Sequence, residues 1–369
     1  MGKVTIFTSE FPPGPGGIGS HAYNLACQLT LNSFKVIVIA PNSYESDQKK
    51  FDVSKTFKIH RYSSYRIFKL FTIIYYFFKY SLKRHNRVFL TTGQFPLLLI
   101  GNILGLFNRK SISIIHGHET LMGSKIKKKL INKALKNFDN LVAVSSFSKS
   151  VTLKNCPHLK KMIVINNGFE INRFHGYRRD NNRQIKGIRL ITVGSMTKRK
   201  GQHNVIGSLP YLKGYFKDIK YHIIGKPIIQ NELINLAKTL EVEENIKFHG
   251  YASDEDMIEI MTDSNLFIML SEYTYSGEVE GFGIAILEAN YMGLPAIGSK
   301  DCGIEDAIKD GNNGRLISLD NHKEMKDAID DIISDYERYS VNAKSWAKKH
   351  SWEVIIKKYL TIISDLCQK

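Results

Sequence analysis

The strongest constraint on the fold of this 369-residue chain is a repeated alternation of short β-branched runs with longer segments of helical period. Parallel strands need a crossover of a dozen or more residues, usually a helix, so this alternation predicts βαβ units with parallel sheets. It runs through both halves of the chain. The predicted strands are Val4–Thr8, Lys35–Ala40, Phe57–His60, Val88–Thr92, Ser111–His116, Leu141–Ser145, Met162–Asn166, Arg189–Gly194, Tyr221–Gly225, Ile246–His249, Leu266–Ser271, Pro295–Ser299 and Arg315–Leu319.

A polar stretch without apolar periodicity separates the two sets of strands, and it predicts a linker over residues 175–187. Because the chain is too long for one hydrophobic core, we expect an N-terminal domain over 1–174 and a C-terminal domain over 188–349. The final segment from Trp346 to Leu366 has helical period, and its part over about 350–369 is expected to pack back on the first domain. Open parallel sheets bind ligands at the carboxyl ends of their strands, so the loops there are the candidates for function.

Positive charge is confined to the first half of the chain. Residues 1–174 hold 26 Lys and Arg against 7 Asp and Glu, a net charge of +19, whereas residues 175–369 hold 26 against 28, a net charge of −2. Such a field attracts phosphates, nucleic acid or anionic lipid. The sequence shows no membrane span, no secretion signal and four scattered cysteines, so we expect a cytoplasmic protein with reduced thiols.

Two glycine-containing loops precede predicted helices and are candidate anion sites. Gly16 and Gly17 lie in the first, before a helix expected to begin near His21, where exposed amides could approach a phosphate. A flexible turn is the alternative there. The second loop, with Gly281 and Gly283, precedes a helix predicted over residues 284–292.

Two carboxylates flank the second loop, eight positions apart. Glu280 precedes it, and Glu288 lies one turn inside the helix among apolar neighbours. A carboxylate among apolar side chains needs a hydrogen-bond or ion-pair partner. Carboxylates commonly bind the hydroxyl groups of sugars. The alternative is a pair of acids at an exposed helix start.

A series of short motifs follows one order along the chain: Gly16-Gly17, Ser113-Ile114-Ile115-His116-Gly117, Leu141-Val142-Ala143-Val144-Ser145, Ile165-Asn166-Asn167-Gly168, Val193-Gly194, Lys200-Gly201, Ile223-Ile224-Gly225, Phe248-His249-Gly250, Glu280 to Glu288 and Gly293-Leu294-Pro295. In this order they resemble the family-four retaining glycosyltransferases, the glycosyl transferases group 1, which have a Glu-x(7)-Glu motif with Gly-Phe-Gly after the first Glu. The resemblance implies an α/β fold of GT-B architecture, in which two Rossmann-like domains with parallel sheets face each other across a cleft.

The resemblance implies a donor site for a nucleotide-diphosphate sugar. By position, Glu280 would bind the hexose hydroxyls, Glu288 the ribose hydroxyls, and Lys200 the diphosphate, where negative charge develops as the glycosidic bond breaks. The other implied donor-binding residues are Gly16, Gly17, Arg199, Gly250, Tyr251, Phe282, Gly283 and Ile284.

The first domain is implied to hold the transferred sugar and the acceptor. His116 matches the family histidine that contacts the sugar, and His118 is a neighbouring candidate for that role. Asn167 is placed on the acceptor or sugar side. Glu280, His116 and Lys200 are therefore the residues expected to control the rate, and none of them is assigned as a nucleophile.

One position departs from the family pattern. Many members have an arginine after the glycine that corresponds to Gly194, whereas this chain has Ser195. Either Arg199 or Lys198 could supply the missing cation, and a solvated loop charge is the alternative for both.

These residues predict a retaining hexosyltransferase that uses a UDP- or GDP-linked sugar and a glycan or lipid-linked acceptor in cell-surface polysaccharide, lipopolysaccharide or glycolipid synthesis. The alternatives are a sugar-nucleotide epimerase on the same architecture and a binding module without turnover. No cofactor and no metal are expected. Asp254 and Asp256 have D-x-D spacing, but they follow Ser253 and are better explained by a helix N-terminus with Ser253 as its cap.

Two basic segments of the first half suggest a membrane partner. Residues 57–87 interleave aromatic and basic side chains, and a helix beginning at Lys125 is predicted to bury Ile126, Leu130, Ala134 and Phe138 and to leave its lysines outside. Both segments are typical of a protein docked peripherally on an anionic membrane surface, the cytoplasmic face being the expected one. A core helix and a solvated face are the alternatives. Nucleic acid is not expected, because no nucleic-acid motif is present.

Overall fold

The protein was analysed as a computed structural model that describes residues 2–14, 16–43, 46–82, 87–107, 109–121, 123–159, 161–177 and 187–368. The chain forms two compact units, and we call residues 1–168 with 352–369 the first unit and residues 169–351 the second unit. Residues 169–174, which the sequence analysis assigns to the N-terminal domain, lie in the second unit. Residues 178–186 of the predicted linker lie outside the described residues.

The first unit contains a seven-stranded parallel sheet with the order β3-β2-β1-β4-β5-β6-β7. Its strands are β1 (Lys3–Thr8), β2 (Lys35–Pro41), β3 (Lys58–Tyr62), β4 (Arg87–Thr92), β5 (Ser111–Ile115), β6 (Asn140–Ala143) and β7 (Ile163–Val164). Its intervening helices are α1 (Gly17–Leu31), α2 (Gln48–Val53), α3 (Arg66–Ser81), α4 (Gln94–Leu104), α5 (Lys125–Leu135) and α6 (Ser146–Asn155).

The second unit contains a six-stranded parallel sheet with the order β10-β9-β8-β11-β12-β13. Its strands are β8 (Ile188–Val193), β9 (Ile219–Ile224), β10 (Ile246–Gly250), β11 (Leu266–Met269), β12 (Ala296–Ser299) and β13 (Gly314–Ile317). Its helices are α7 (Gln202–Lys213), α8 (Gln230–Thr239), α9 (Asp254–Asp263), α10 (Ile284–Tyr291), α11 (His322–Ser334) and α12 (Tyr336–Lys348).

The chain then returns to the first unit as α13 (Trp352–Gln368), which packs on α1. The single helical segment predicted from Trp346 to Leu366 is wrong, because the structure breaks it between α12 and α13. At the break, Ser351 forms an isolated parallel bridge with Phe169, so the backbone here is extended rather than helical.

All thirteen predicted strands are present, with ends that differ by a few residues. Each sheet packs β-branched and aromatic side chains into its core: Phe7, Ile39 and Phe89 are buried in the first unit, and Tyr221 and Ile268 in the second. Burial of such side chains on both faces explains why the strands are near-continuous apolar runs in the sequence.

The apolar stripe predicted for the lysine-rich helix is partly wrong. In α5 the buried side chains are Ile131, Ala134 and Leu135, whereas Ile126 and Leu130 are exposed. The helix packs on α4, and this contact rather than the length of the stripe decides which face is buried.

Candidate active site

The strand order of the second sheet decides where its site lies. The order reverses between β8 and β11, which are neighbours in the sheet although two strands separate them in sequence. Loops that follow such a pair diverge at the carboxyl edge and leave a crevice for a ligand. The loop after β8 contains the turn Lys198–Lys200, and the loop after β11 contains Glu280.

Two cations meet one carboxylate at this edge. Lys200 Nζ lies 2.9 Å from Glu280 Oε2, and the guanidinium of Arg199 contacts the same oxygen. Glu280 is buried, which by itself would raise the pKa of its carboxyl, but Lys200 and Arg199 outweigh burial and hold that pKa at about 2. The carboxylate is therefore ionised, and the three charges form one cluster in which Glu280 is buried and the two cations are partly buried.

The first turn of α10 lies directly beyond this cluster in the chain. Gly283 precedes the helix with φ of 89°, a left-handed conformation that favours glycine. Phe282 is buried, Ile284 begins the helix, and no side chain of the described residues caps the first turn. The amide of Ile286 donates to the carbonyl of Gly283 at 3.0 Å, and the amides of Ile284 and Ala285 before it are the ones that could contact an anion, which the helix dipole also favours.

Glu288 is the carboxylate of α10, and one cation contacts it directly. Its Oε1 accepts a hydrogen bond of 2.7 Å from Arg173, whose guanidinium also contacts Asp254 Oδ1 at 2.6 Å. Burial raises the pKa of Glu288, Asp254 raises it further, and Arg173 and Lys200 lower it, with a net upward shift.

In the first unit, His116 lies at the carboxyl edge of the sheet. It follows β5, and its Nε2 lies 2.8 Å from the hydroxyl of Thr92, the last residue of the adjacent β4. The carboxylate of Glu119 accepts from the backbone amides of His116 at 3.0 Å and Gly117 at 2.8 Å, which fixes the loop. Burial lowers the pKa of His116 to about 3, so its imidazole is neutral.

A second buried histidine stands beside the first. The ring centroid of His21, in α1, lies 5.4 Å from that of His116 and 5.2 Å from that of Trp352. Its Nε2 lies 3.1 Å from the hydroxyl of Tyr359 in α13, and burial lowers its pKa to about 3. The carboxyl edge of the first sheet therefore places neutral rings and hydroxyls beside the buried carboxylate of Glu119.

The glycine-rich turn before α1 already faces a carboxylate. Gly19 donates a backbone hydrogen bond of 3.4 Å to Glu10 Oε2, and a Cβ at Gly16 would come within 2.0 Å of the same oxygen. Gly17 begins the helix and has no atom close to a Cβ position. An anion binding at this turn would therefore have to displace Glu10.

Comparison with known proteins gives two family matches that together span most of the chain. Residues 15–173 match Glycosyltransferase Family 4, and residues 175–349 match Glycosyl transferases group 1. The chain belongs to the group 1, family-four glycosyltransferases. The motif order along the sequence had indicated this family, and the match confirms it.

Relatives of the glycosyltransferase match it over nearly its full length. A glycosyltransferase of Methanocaldococcus jannaschii is 27% identical over 99% of this chain and 98% of its own. The GDP-mannose-dependent monoacylated alpha-(1-6)-phosphatidylinositol monomannoside mannosyltransferase of Corynebacterium glutamicum is 22% identical over 98% of both.

A solved structure supports the fold of the glycosyltransferase. Anabaena HepE, in complex with UDP and glucose, superposes with a TM-score of 0.76 at 18% identity, over 98% of this chain and 99% of that one. The predicted α/β class with two Rossmann-like domains of GT-B type is confirmed.

The structure brings some of the predicted site residues of the glycosyltransferase together and leaves others apart. Glu280, Lys200 and Arg199 form one cluster, whereas Lys198 pairs with Glu232 at 3.6 Å on the surface. Arg199 is thus the cation that the fold directs to the site in a chain with Ser195.

The other predicted residues have more varied positions. Gly250 ends β10, Tyr251 after it is 84% exposed, and His118 begins a single turn beside His116. Asn167 is buried, and its Oδ1 has no partner among the described residues. The roles given to all these residues stay predictions.

Sequence reasoning missed Arg173, His21 and Trp352. Arg173 was assigned to the start of a polar stretch, and its link to Glu288 spans 115 residues, so no local signal marks it. His21 did leave a signal, because helical period places it with Ile18 and Leu25 on the buried face of α1.

Proposed function

We propose that this glycosyltransferase transfers a hexose, with retention of anomeric configuration, from a UDP- or GDP-linked sugar to a glycan or lipid-linked acceptor in cell-surface polysaccharide or glycolipid synthesis. The observation that supports the proposal best is the cluster of Lys200, Arg199 and Glu280 at the sheet edge, followed by the uncapped first turn of α10. The cluster provides cations for a diphosphate and a carboxylate for sugar hydroxyls within a few ångströms of each other.

The cations have a direct role in the proposed chemistry. When the glycosidic bond breaks, the bonding electrons go to the departing diphosphate, and preorganised positive charge lowers the energy of that state. The aliphatic chain of Lys200 packs closely on Gly194, where a Cβ would come within 3.2 Å of it. Arg199 adds a second cation, in place of the arginine that many relatives have at the position of Ser195.

His116 is proposed to contact the transferred sugar. Its Nε2 is held by Thr92, which leaves Nδ1 as the nitrogen that can contact a substrate hydroxyl. Because the imidazole is neutral, it can donate or accept a hydrogen bond without adding charge beside a cationic transition state. The lipid-linked acceptor named for the Corynebacterium relative supports the acceptor class.

The test is a donor panel with purified protein. Release of UDP or GDP is measured for each nucleotide sugar, with and without lipid-linked and glycan acceptors, and the anomeric configuration of the product is read by NMR. Acceptor-dependent release with retention is expected. Conversion of the donor without acceptor would instead indicate an epimerase, and binding without any conversion would indicate a binding module.

We also propose that the protein docks on an anionic membrane surface through the first unit. Phe68, Phe71 and Tyr75 lie at i, i+3 and i+7 on one face of α3, and they are 65%, 65% and 56% exposed. The opposite face of the same helix is buried through Ile73 and Phe77. An exposed aromatic stripe of this kind suits the interfacial region of a bilayer.

The neighbouring helices supply charge that is complementary to an anionic surface. Helices α3, α4 and α5 share one hydrophobic cluster. On α5, Lys129 and Lys133 are exposed, as is Ile126, and Lys136 directly after the helix is exposed too. Each lysine near such a surface contributes on the order of 1 kcal/mol. No helix in the described part of the chain combines the length and the apolar character needed to cross a bilayer.

Vesicle flotation tests the docking proposal. Wild-type protein is expected to float with phosphatidylglycerol vesicles and not with phosphatidylcholine vesicles, and Phe68→Ser with Phe71→Ser should weaken the binding at least about tenfold. The matched control is Leu31→Ser with Val53→Ser, which removes two apolar side chains from α1 and α2 that are 76% and 87% exposed. Equal losses in both double variants would contradict a specific docking face.

A further inference from the structure

Arg173 connects three parts of the second unit. It lies in the turn Ile171–Phe174, which follows the bridge between Phe169 and Ser351. Its Nε and one terminal nitrogen contact the two oxygens of Asp254 at 3.1 and 2.6 Å, and its other terminal nitrogen contacts Glu288 at 2.7 Å. All three nitrogens of the guanidinium are therefore engaged, in a geometry that lysine cannot reproduce.

The two carboxylates play unequal parts in this arrangement. The side chain of Asp254 is 55% exposed and that of Glu288 is 12% exposed. Asp254 therefore holds the guanidinium from the solvent side, and the remaining nitrogen contacts the more buried carboxylate of Glu288. Among the described residues, Arg173 engages only Oε1 of Glu288. The second oxygen is left to accept hydrogen bonds from a ligand.

The electrostatic surroundings of Glu288 show why the cation matters. Burial and Asp254 raise the pKa of Glu288, while Arg173 and Lys200 lower it. Lys200 is in direct contact with Glu280 rather than with Glu288, so Arg173 is the only cation of the described residues in hydrogen-bond contact with Glu288. Without that contact the buried carboxyl would bind a proton more readily and would lose acceptor capacity.

We propose that Arg173 is a positioning residue for donor binding, which holds Glu288 ionised and oriented so that its free oxygen accepts hydrogen bonds from the vicinal hydroxyls of the donor's ribose. The inference rests on the proposed nucleotide-sugar donor. The proposal also gives Asp254 a role besides its place in the first turn of α9. Asp254 orients the guanidinium of Arg173, which in turn orients Glu288.

Calorimetry with the nucleoside diphosphate of the active donor, or with UDP and GDP in turn, measures this role without requiring transfer. Arg173→Gln is expected to weaken binding at least about tenfold, in line with the loss of one charge-assisted hydrogen bond. Arg173→Lys should restore part of the loss, because it keeps the charge but not the three-point contact. Arg189→Gln is the matched control, since Arg189 forms a comparable pair with Asp218 at 2.7 Å at the other end of β8.

The pH dependence separates positioning from a merely structural effect. In Arg173→Gln the pKa of Glu288 rises further, so binding should improve as pH increases, more steeply than in wild type. Arg173→Gln combined with Glu288→Gln should bind no worse than Glu288→Gln alone.

The outcomes are distinguishable. If wild type binds no nucleoside diphosphate, the proposed function fails and the inference with it. If wild type binds and Arg173→Gln binds equally well, only the inference fails. A loss that neither lysine nor higher pH relieves also overturns it, because it would reflect a disturbed fold.

Discussion

The buried polar groups of the two units differ in kind. At the carboxyl edge of the first sheet, His21 and His116 are neutral rings paired with hydroxyl groups. At the corresponding edge of the second sheet, Glu280 and Glu288 are buried carboxylates in contact with three basic side chains. The two histidines offer hydrogen bonds without charge, although the carboxylate of Glu119 lies buried beside them, whereas the second edge offers fixed positive charge.

This difference is the reverse of what net charge suggests. The first 174 residues have a net charge of +19 and the rest a net charge of −2, yet the cations of the candidate active site belong to the second unit. Several lysines of the first unit lie on the surface, for example Lys129 and Lys133 of α5. Net charge thus reports on the surface that a protein presents to large partners, and individual burial and pairing decide the chemistry of a site.

The largest expected effect tests the charged edge. Lys200→Ala should lower kcat by about 10²–10³-fold, because it removes positive charge from the departing diphosphate. The measurement is the initial rate of nucleoside diphosphate release at saturating acceptor. Lys198→Ala is the control two residues away, and its pair with Glu232 predicts a near-normal rate. Equal losses in both variants would mean that the cluster on Glu280 has no special role.

Substitution of His116, the neutral ring at the carboxyl edge of the first sheet, should have a smaller effect on the rate. His116→Asn removes a ring nitrogen from the sugar side and should lower kcat by about tenfold, the value of one hydrogen bond in the transition state. Calorimetry should show unchanged affinity for the nucleoside diphosphate, because that ligand is assigned to the second unit. An equal loss of nucleotide affinity would contradict the proposal that His116 contacts the sugar while the second unit binds the nucleoside diphosphate.

Acid should destabilise the first unit more than the second, where His222 and His249 also have lowered pKa values but are only partly buried. The pKa of His21 and of His116 is lowered from 6.5 to about 3. Below pH 6.5 these histidines therefore bind a proton in the unfolded chain but not in the folded unit, so the free energy of unfolding falls as pH falls. At pH 5 the cost is roughly 2 kcal/mol for each histidine. The pKa of Glu280 is lowered instead, from 4.5 to about 2, so its contribution is intact at pH 5 and is lost only as pH falls through that lower window.

The two tryptophans allow this comparison to be made in one chain. Trp352 belongs to the first unit and Trp346 to the second. Urea unfolding of Trp346→Phe, followed by the fluorescence of Trp352, should show a midpoint that falls between pH 7.5 and 5. Trp352→Phe leaves Trp346 to report on the second unit, and a midpoint that falls equally there would contradict the prediction.

The smallest expected effect concerns metal. Asp254 is engaged by Arg173, and Ser253 caps α9 by accepting from the amide of Asp256, which confirms the capping role predicted for this segment. We therefore expect EDTA to leave the initial rate unchanged within error. A loss of rate that added magnesium or manganese reverses would show that the candidate active site needs a metal ion.

Sequence patterns predicted the strands and the family well, because both depend on local features: apolar runs of strand length and motifs in a fixed order. They predicted the cluster of Lys200 and Glu280 only through the family resemblance, since 80 residues separate the two. The break before α13 and the exposure of Ile126 were missed, because each depends on a contact between elements distant in sequence. Arg173 was missed for the same reason.

The return of the chain to the first unit affects the order in which the protein can fold during synthesis. Trp352 and Tyr359 of α13 fill space beside His21, and Gly168 has no room for a Cβ because the indole of Trp352 lies 2.8 Å from that position. The second unit is contiguous in sequence, so it can complete its core while the ribosome is still translating. The first unit is made first, yet it waits for α13 to emerge and is therefore exposed to chaperones and proteases for longer.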